Sequence, residues 1–463
     1  MATILGRGRQ PWRLLSLALA MLLPSLGTSI ANVALPSLES AFGASFGEVQ
    51  WVVLSYLLAV TALIVIVGRL GDLLGRRRLL LAGIGIFALA SAGAAAAPGL
   101  GALIAARAIQ GLGAATMMAL AVASVGDVVP AQRMGSAMGL LGTVSAAGTA
   151  LGPSLGGVLL AWAGWPAVFA AMAGAAAATF LIGIRMLPAT PAGSRKTGSF
   201  DFPGMLLLAT SVGAFALSAT LGGGRPGLLN AGLAALFVVA IAAFVVVERH
   251  TASPLVRIEL LREPVLGSGL LALGLVSTIV MATLVVGPFY LSETLGLGPV
   301  QLGLVMSVGP GVAALSGLPA GRLVDVFGSA RVQVAGLSGV TVGAALMAIL
   351  PGLSGTAGYI GGLVVITAGY ALFQAANNTA VMANATPDRR GLASALLGLA
   401  RNLGLVTGAS AMGAVFAIAS GGVAFLHLPA GRQTGLALTF GLGALLAAAA
   451  LLVVVRNQRQ TRP

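Results

Sequence analysis

The residues that could perform chemistry in this chain are polar side chains inside long apolar runs. Arg107 lies in such a run with Gln110 three residues later, and Arg401 lies in another beside Asn402. A charged side chain is costly in hydrocarbon, so intramembrane charges are functional candidates by default. These groups suit the binding of a polar solute or the relay of a proton, not covalent catalysis.

The sequence lacks the residue patterns of catalytic and cofactor-binding sites. The absence of cysteine removes disulfides and thiolate chemistry. The two histidines, His250 and His427, fall in predicted loops of opposite sidedness, which disfavours a shared metal site. Lys196 lacks the glycine pattern of a phosphate-binding loop. We therefore predict no enzyme activity, no metal and no cofactor other than a proton gradient.

The elements that must position the polar residues are membrane-spanning helices. The chain is 58% hydrophobic and 8% charged, with a mean hydropathy of +1.03, which excludes a soluble protein. Apolar runs of about twenty residues recur, each long enough to cross a bilayer core. The 67 glycines suit close helix packing in lipid. We expect an all-α integral membrane protein.

We predict fourteen transmembrane helices, called spans 1 to 14 below, and read the first as a span and not a cleaved leader. Their approximate limits are Leu14–Leu35, Trp51–Gly68, Leu79–Ala97, Leu100–Val125, Gly135–Ala161, Trp165–Ile184, Phe202–Leu221, Leu228–Val247, Val265–Leu291, Val300–Gly321, Val332–Leu350, Thr356–Ala376, Leu392–Ala419 and Leu436–Val455.

The net charge of +14 is distributed asymmetrically. Of the 25 Lys and Arg residues, Arg225 and Arg432 fall in outside loops, Arg107 and Arg401 lie within spans, and the rest lie on the predicted cytoplasmic side. This positive-inside pattern places both termini in the cytoplasm and argues against nucleic-acid binding.

An internal repeat divides the chain. GRLGDLLGRRR at Gly68–Arg78 recurs as GRLVDVFGSAR at Gly321–Arg331, and Pro130, Arg133 and Gly156 pair with Pro387, Arg390 and Gly413. Two parallel six-helix repeats with the solute site between them follow from this order. We predict an N-terminal bundle at 1–187, a segment at 188–264 and a C-terminal bundle at 265–463. The middle segment would hold a linker at Pro188–Ser199, inserted spans 7 and 8, and an interfacial stretch at Glu248–Pro264.

Several motifs resemble the major facilitator superfamily, in its fourteen-spanner drug:proton antiporter branch, over nearly the whole chain. They are the repeated loop motif, LGTSIANVALP at Leu26–Pro36, LIAARAIQGLGAA at Leu103–Ala115, GTVSAAGTALGPSLGG at Gly142–Gly157, FDFPG at Phe200–Gly204 and PLVRIELLR at Pro254–Arg262. The resemblance implies the major facilitator fold, two six-helix bundles plus two inserted helices.

The resemblance also implies roles for residues. Asp72 would face Arg389 and Arg390, and Asp325 would face Arg133. The gating motif comprises Gly68, Arg69, Asp72, Gly75, Arg76, Arg77, Gly321, Arg322, Asp325 and Gly328. The antiporter motif comprises Gly148, Gly152, Pro153, Gly156 and Gly157. Candidates for proton coupling, a role the family assigns to Arg107, and for the substrate cavity are Asn32, Tyr56, Arg107, Gln110, Gln374, Asn377, Asn378, Arg401 and Asn402.

Glycine at position 27 departs from the family pattern, in which many members carry an aspartate before the threonine of span 1. Without a mid-membrane acid, a cavity with two arginines should favour anionic or neutral polar solutes over cations. For Arg401, a buried arginine tied to backbone carbonyls is an open alternative.

We therefore expect a monomeric, proton-coupled exporter of small organic molecules in the inner membrane, with the lipid bilayer and a small-molecule substrate as its partners. A dedicated exporter of an endogenous anionic metabolite, such as a siderophore, is the alternative. A membrane enzyme or a non-transporting sensor is disfavoured.

Overall fold

The computed structural model describes residues 10–125, 128–129, 134–187, 201–221, 227–251, 263–384, 390–421 and 430–460. All regular secondary structure within these ranges is helical, which confirms the predicted fold class. Twelve of the helices in this part of the chain have the length and apolar composition needed to cross a membrane.

Two of these twelve helices contain a break. In the helix Met134–Met186 the non-helical residues are Ala163 and Gly164, and in the helix Ser329–Asn384 they are Ser354 and Gly355. The breaks fall where the sequence separates span 5 from span 6 and span 11 from span 12. Each of these two helices therefore covers the residues of two predicted spans, and the count of fourteen spans stays a prediction.

The chain forms two compact units. Unit 1 comprises Met1–Phe42 and Trp51–Phe200. Its core is built from fully buried side chains such as Leu17, Leu103 and Phe169. The helices of unit 1 are α1 (Gln10–Phe42), α3 (Trp51–Leu74), α4 (Arg76–Ala95), α5 (Leu100–Ala123) and α6 (Met134–Met186).

Unit 2 comprises Gly43–Gln50 and Asp201–Pro463, so it includes a short piece of the chain between α1 and α3. Its helices are α2 (Phe46–Val49), α7 (Phe202–Thr220), α8 (Leu228–His250), α9 (Pro264–Phe289), α10 (Pro299–Phe327), α11 (Ser329–Asn384), α12 (Arg390–Thr407), α13 (Gly413–Ser420) and α14 (Arg432–Gln460). Short π-helices follow α9 at Tyr290–Thr294 and α12 at Gly408–Met412.

The repeated motif has the same backbone form in both units. Helix α3 ends at Leu74 and α4 begins at Arg76, with Gly75 between them at φ 92°. Gly328 separates α10 from α11 in the same way, at φ 80°. Because this region of φ is open to glycine and strained for other residues, both glycines are needed for the sharp turn.

Several predicted features lie outside the described residues. They are the linker at Pro188–Ser199, most of the interfacial stretch at Glu248–Pro264, and the residues Pro130, Arg133, Arg225, Pro387, Arg389 and His427.

Candidate functional site

Arg107 is the largest fully buried side chain among the described residues of unit 1, at 0% exposure. Its Nε donates to the Val52 carbonyl oxygen at 2.8 Å, one Nη donates to the Gly27 carbonyl oxygen at 3.1 Å, and the other donates to Gln110 Oε1. All three acceptors are neutral, and no carboxylate bonds to Arg107 among the described residues. The guanidinium therefore ties α1, α3 and α5 together without an ion pair.

Aromatic rings and a second polar side chain complete this cluster. The Arg107 guanidinium carbon lies 4.2 Å from the centroid of the Tyr56 ring, which places the cation over the ring face. The Tyr56 hydroxyl donates to the Pro24 carbonyl oxygen at 2.8 Å, and Gln110 Nε2 donates to Ser91 Oγ at 2.6 Å. The structure thus brings three predicted site residues into one buried network, while their role in proton coupling stays a prediction.

Asn32, a predicted site residue of span 1, lies on α1 outside the Arg107 network and is also buried. Its Nδ2 donates to the Thr28 carbonyl oxygen at 2.9 Å. Its Oδ1 has no hydrogen-bond partner among the described residues. Asn32 is therefore a buried acceptor with spare capacity inside an apolar helix.

The antiporter motif forms a close contact between α6 and α1. A Cβ on Gly148 would lie 2.6 Å from the Leu22 carbonyl oxygen, and one on Gly152 would overlap Ser29 Oγ. On Gly156 it would lie 3.1 Å from the Ile30 carbonyl oxygen. Pro153 and Gly157 are buried on the same helix. These three glycines let two helix backbones touch.

Unit 2 contains a matching contact that the sequence motifs did not predict. A Cβ on Gly404 would overlap the Gly274 carbonyl oxygen, and one on Gly408 would overlap that of Thr278. The Thr278 hydroxyl also donates to the Gly404 carbonyl oxygen at 3.1 Å. Helix α12 and the π-helix that follows it therefore pack on α9, as α6 packs on α1. The spacing of four residues between Gly404 and Gly408 was the available signal.

The predicted polar residues of unit 2 are less uniform in their surroundings. Asn377 is fully buried, and its Oδ1 accepts from Gln333 Nε2 at 2.9 Å. Gln374 and Asn402 are half-buried, while Asn378 and Arg401 are exposed. Arg401 is thus not the buried, carbonyl-bound arginine of the open alternative. Its role in substrate binding stays a prediction.

The gating motifs are described in part. The burial of Gly68 and the side chains of Arg69, Asp72 and Arg390 lie outside the described set. In unit 1 one Nη of Arg76 donates to the Ala123 carbonyl oxygen at 2.8 Å, and one of Arg77 donates to that of Ile184 at 2.7 Å. In unit 2 Arg322 and Asp325 are exposed, and Gly321 is half-buried. The predicted partners of Asp72 and Asp325 stay predictions.

A set of apolar helices in two repeated units, each with buried polar groups, is the architecture of a membrane transport protein. Comparisons with known proteins agree. The family model described as Major Facilitator Superfamily matches residues 17–409. The chain belongs to this superfamily and is a multi-pass membrane transporter, not an enzyme.

Individual relatives cover most of the chain. It is 30% identical over 415 residues to the riboflavin transporter RibZ of Clostridioides difficile, covering 88% of this chain and 89% of that one. It is 32% identical over 415 residues to the multidrug efflux pump LfrA of Mycolicibacterium smegmatis, covering 86% and 79%. The crystal structure of a bacterial homologue of the lysosomal transporter Spinster aligns with a TM-score of 0.71 at 17% identity, covering 98% of each chain, which shows the shared fold.

Proposed function

We propose that this transporter exports small organic molecules in exchange for protons, by alternating access, across the plasma membrane. The observation that carries the proposal is the glycine contact between α6 and α1. It is formed by Gly148, Gly152 and Gly156, the residues of the motif that resembles the one associated with antiporters. The similarity to LfrA, which is named as a multidrug efflux pump, supports the same direction of transport.

The contact explains why such a motif would need glycine. Because the three glycines of α6 carry no side chains, fewer side chains interdigitate across this contact, and the two helices can slide or tilt with fewer rotamer changes. The Ser25 and Ser145 hydroxyls lie 2.6 Å apart across the same pair of helices and provide one polar link. A face of this kind suits repeated rearrangement during a transport cycle.

A second candidate is a dedicated exporter of a neutral polar or anionic metabolite. Arg401 is an exposed cation within an apolar helix, and Gly27 occupies the place where the family often has an aspartate. The similarity to RibZ, which is named as a riboflavin transporter, adds a relative with a polar aromatic solute. An exposed positive charge attracts anions and repels lipophilic cations.

Purified protein in liposomes would test both candidates. Vesicles loaded with ethidium, riboflavin or an anionic fluorescein derivative would be diluted into a more acidic buffer. Because protons would enter as solute leaves, we expect at least one probe to exit saturably and faster than when the pH gradient is absent. Protein-free vesicles provide the control for leakage.

The possible outcomes test proton coupling and distinguish the two candidate functions. A saturable efflux that persists unchanged after an ionophore collapses the pH gradient would contradict proton coupling. Efflux of ethidium alone would favour the multidrug candidate, whereas efflux of riboflavin or the anion without ethidium would favour the metabolite candidate. The absence of protein-dependent flux for all three probes would count against both.

A further inference from the structure

The short helix α2 is a self-contained turn. Its N-cap is Ser45, whose backbone N–H and hydroxyl both donate to Glu48 Oε2 at 2.7 Å, while the Glu48 backbone N–H donates back to Ser45 Oγ at 3.4 Å. This is a capping box, and both of its side chains are exposed. The turn therefore holds its shape through bonds within itself.

One ring of α2 occupies an aromatic socket, which we define as Phe289, Phe416, Arg432 and Glu293 of unit 2. Phe46 is buried, with its ring centroid 4.5 Å from that of Phe289 and 5.2 Å from that of Phe416. The Arg432 guanidinium lies 5.9 Å from the centroid of Phe46, and Glu293 accepts from it at 2.7 and 3.1 Å. An ion pair thus holds a cation beside the aromatic rings.

Two neighbouring residues of the same segment are also buried. Val49 is 0% exposed and Gln50 is 1% exposed. A Cβ on Gly413 would overlap the Gln50 amide, so only glycine leaves room for it there. The Gln50 Nε2 has no hydrogen-bond partner among the described residues. An unpaired buried amide is unfavourable, so the burial of Gln50 in this arrangement costs free energy.

The chain changes direction immediately before this segment. Gly43 is exposed, has φ 58°, and has no atom within 4 Å of the position of a Cβ. On its N-terminal side, Phe42 belongs to unit 1 and packs on Trp165 with centroids 5.3 Å apart. A glycine in the left-handed region of φ therefore separates Phe42, which packs within unit 1, from Phe46, which packs within unit 2.

We propose that residues Gly43–Gln50 form a releasable latch, which docks Phe46 in the aromatic socket in one state of the transport cycle and leaves it in another. The capping box lets α2 move as an intact turn, and Gly43 supplies the hinge. The Arg432–Glu293 pair keeps the socket formed when it is empty. The proposal depends on the chain being a transporter, but not on its substrate.

Cysteine labelling tests release directly, because the chain has no cysteine of its own. A Val49→Cys variant in lipid nanodiscs would be treated with a polar maleimide. We expect slow but complete labelling, since the site is buried when docked and open only during release. Ala41→Cys, at an exposed position before the hinge, should label rapidly and serves as the matched control.

Substitution of Phe46 or of a socket residue, in the Val49→Cys background, should change the rate of maleimide labelling. Phe46→Ala should accelerate labelling at least about tenfold, because it removes the buried ring. Arg432→Lys, which loses the two-point contact with Glu293, should give an intermediate rate. Phe327→Ala removes an exposed ring from α10 and should leave the rate unchanged.

Transport measurements distinguish a latch from ordinary packing. For whichever probe is carried, Arg432→Lys should alter the maximal flux and leave KM unchanged, because the latch does not touch the solute. Labelling of Val49→Cys that never proceeds in protein active in flux, or that is equally fast with and without the Phe46 ring, would overturn the latch. Either result would leave the proposed export function standing, since flux would persist.

Discussion

Unit 1 and unit 2 pack their helices with the same device but place an arginine differently. In each unit, glycines spaced four residues apart bring a later helix against the backbone of an early one. In unit 1 Arg107 is fully buried and bound to neutral acceptors, whereas in unit 2 Arg401 is exposed. An arginine in an apolar helix can therefore be an internal clamp or an available charge, and these two roles predict different mutant behaviour.

The largest expected effect is on the stability of unit 1. Arg107→Ala should lower the free energy of unfolding by about 2–5 kcal/mol, because it empties a packed site and leaves Gln110 Oε1 without its donor. Thermal unfolding of the purified protein in detergent would measure this. Arg401→Ala is the matched control and should change stability by less than about 0.5 kcal/mol. Equal destabilisation by both variants would remove the distinction between clamp and exposed charge.

The glycine contacts should show the next largest effect, and in both units. Gly152→Ala and Gly404→Ala should each destabilise the protein by about 1–3 kcal/mol, because the added methyl group meets Ser29 in one case and the Gly274 carbonyl in the other. Gly174→Ala and Gly398→Ala, which have open space, are the controls. A transport defect in Gly152→Ala that exceeds that of Gly404→Ala at equal stability would assign the motif a role beyond packing.

Two buried tyrosines, one in each unit, should show a smaller loss of stability that is similar in the two units. Tyr56→Phe removes the hydroxyl that binds the Pro24 carbonyl, and Tyr359→Phe removes the one that binds the Thr283 carbonyl. Each should cost about 1 kcal/mol in a denaturation experiment. Because the Tyr56 ring remains over Arg107, Tyr56→Phe should retain the clamp, whereas Tyr56→Leu should lose further stability. If Tyr56→Phe and Tyr56→Leu were equally stable, the ring would contribute nothing to the clamp.

The substitution with the smallest expected effect on stability, at Arg401, should change the selectivity between anionic and cationic solutes. Arg401→Ala should reduce flux of the anionic probe relative to ethidium by about threefold to tenfold, because it removes an exposed positive charge from an apolar helix. Flux assays in liposomes with the two probes would measure the ratio. An unchanged ratio would show that Arg401 does not meet the solute.

Helix positions were largely predictable, because length and hydropathy are local properties of the chain. The starts of α3 at Trp51, α7 at Phe202 and α8 at Leu228 agree with the predicted spans. The repeat at Gly75 and Gly328 was also readable, since a backbone turn of positive φ requires glycine wherever it occurs. The aromatic socket was not predicted, although the spacing of Ser45 and Glu48 carried a capping-box signal.

The sequence by itself determined an all-helical membrane chain, its duplicated organisation and its family. These follow from hydrophobic length, charge asymmetry and glycine spacing, which are local properties of the chain. Only the tertiary structure decided that Arg107 is enclosed by Gly27, Val52 and Gln110 while Arg401 is exposed. The physical reason is that the cost of a buried charge depends on the acceptors that other helices supply, and those acceptors lie far away along the chain.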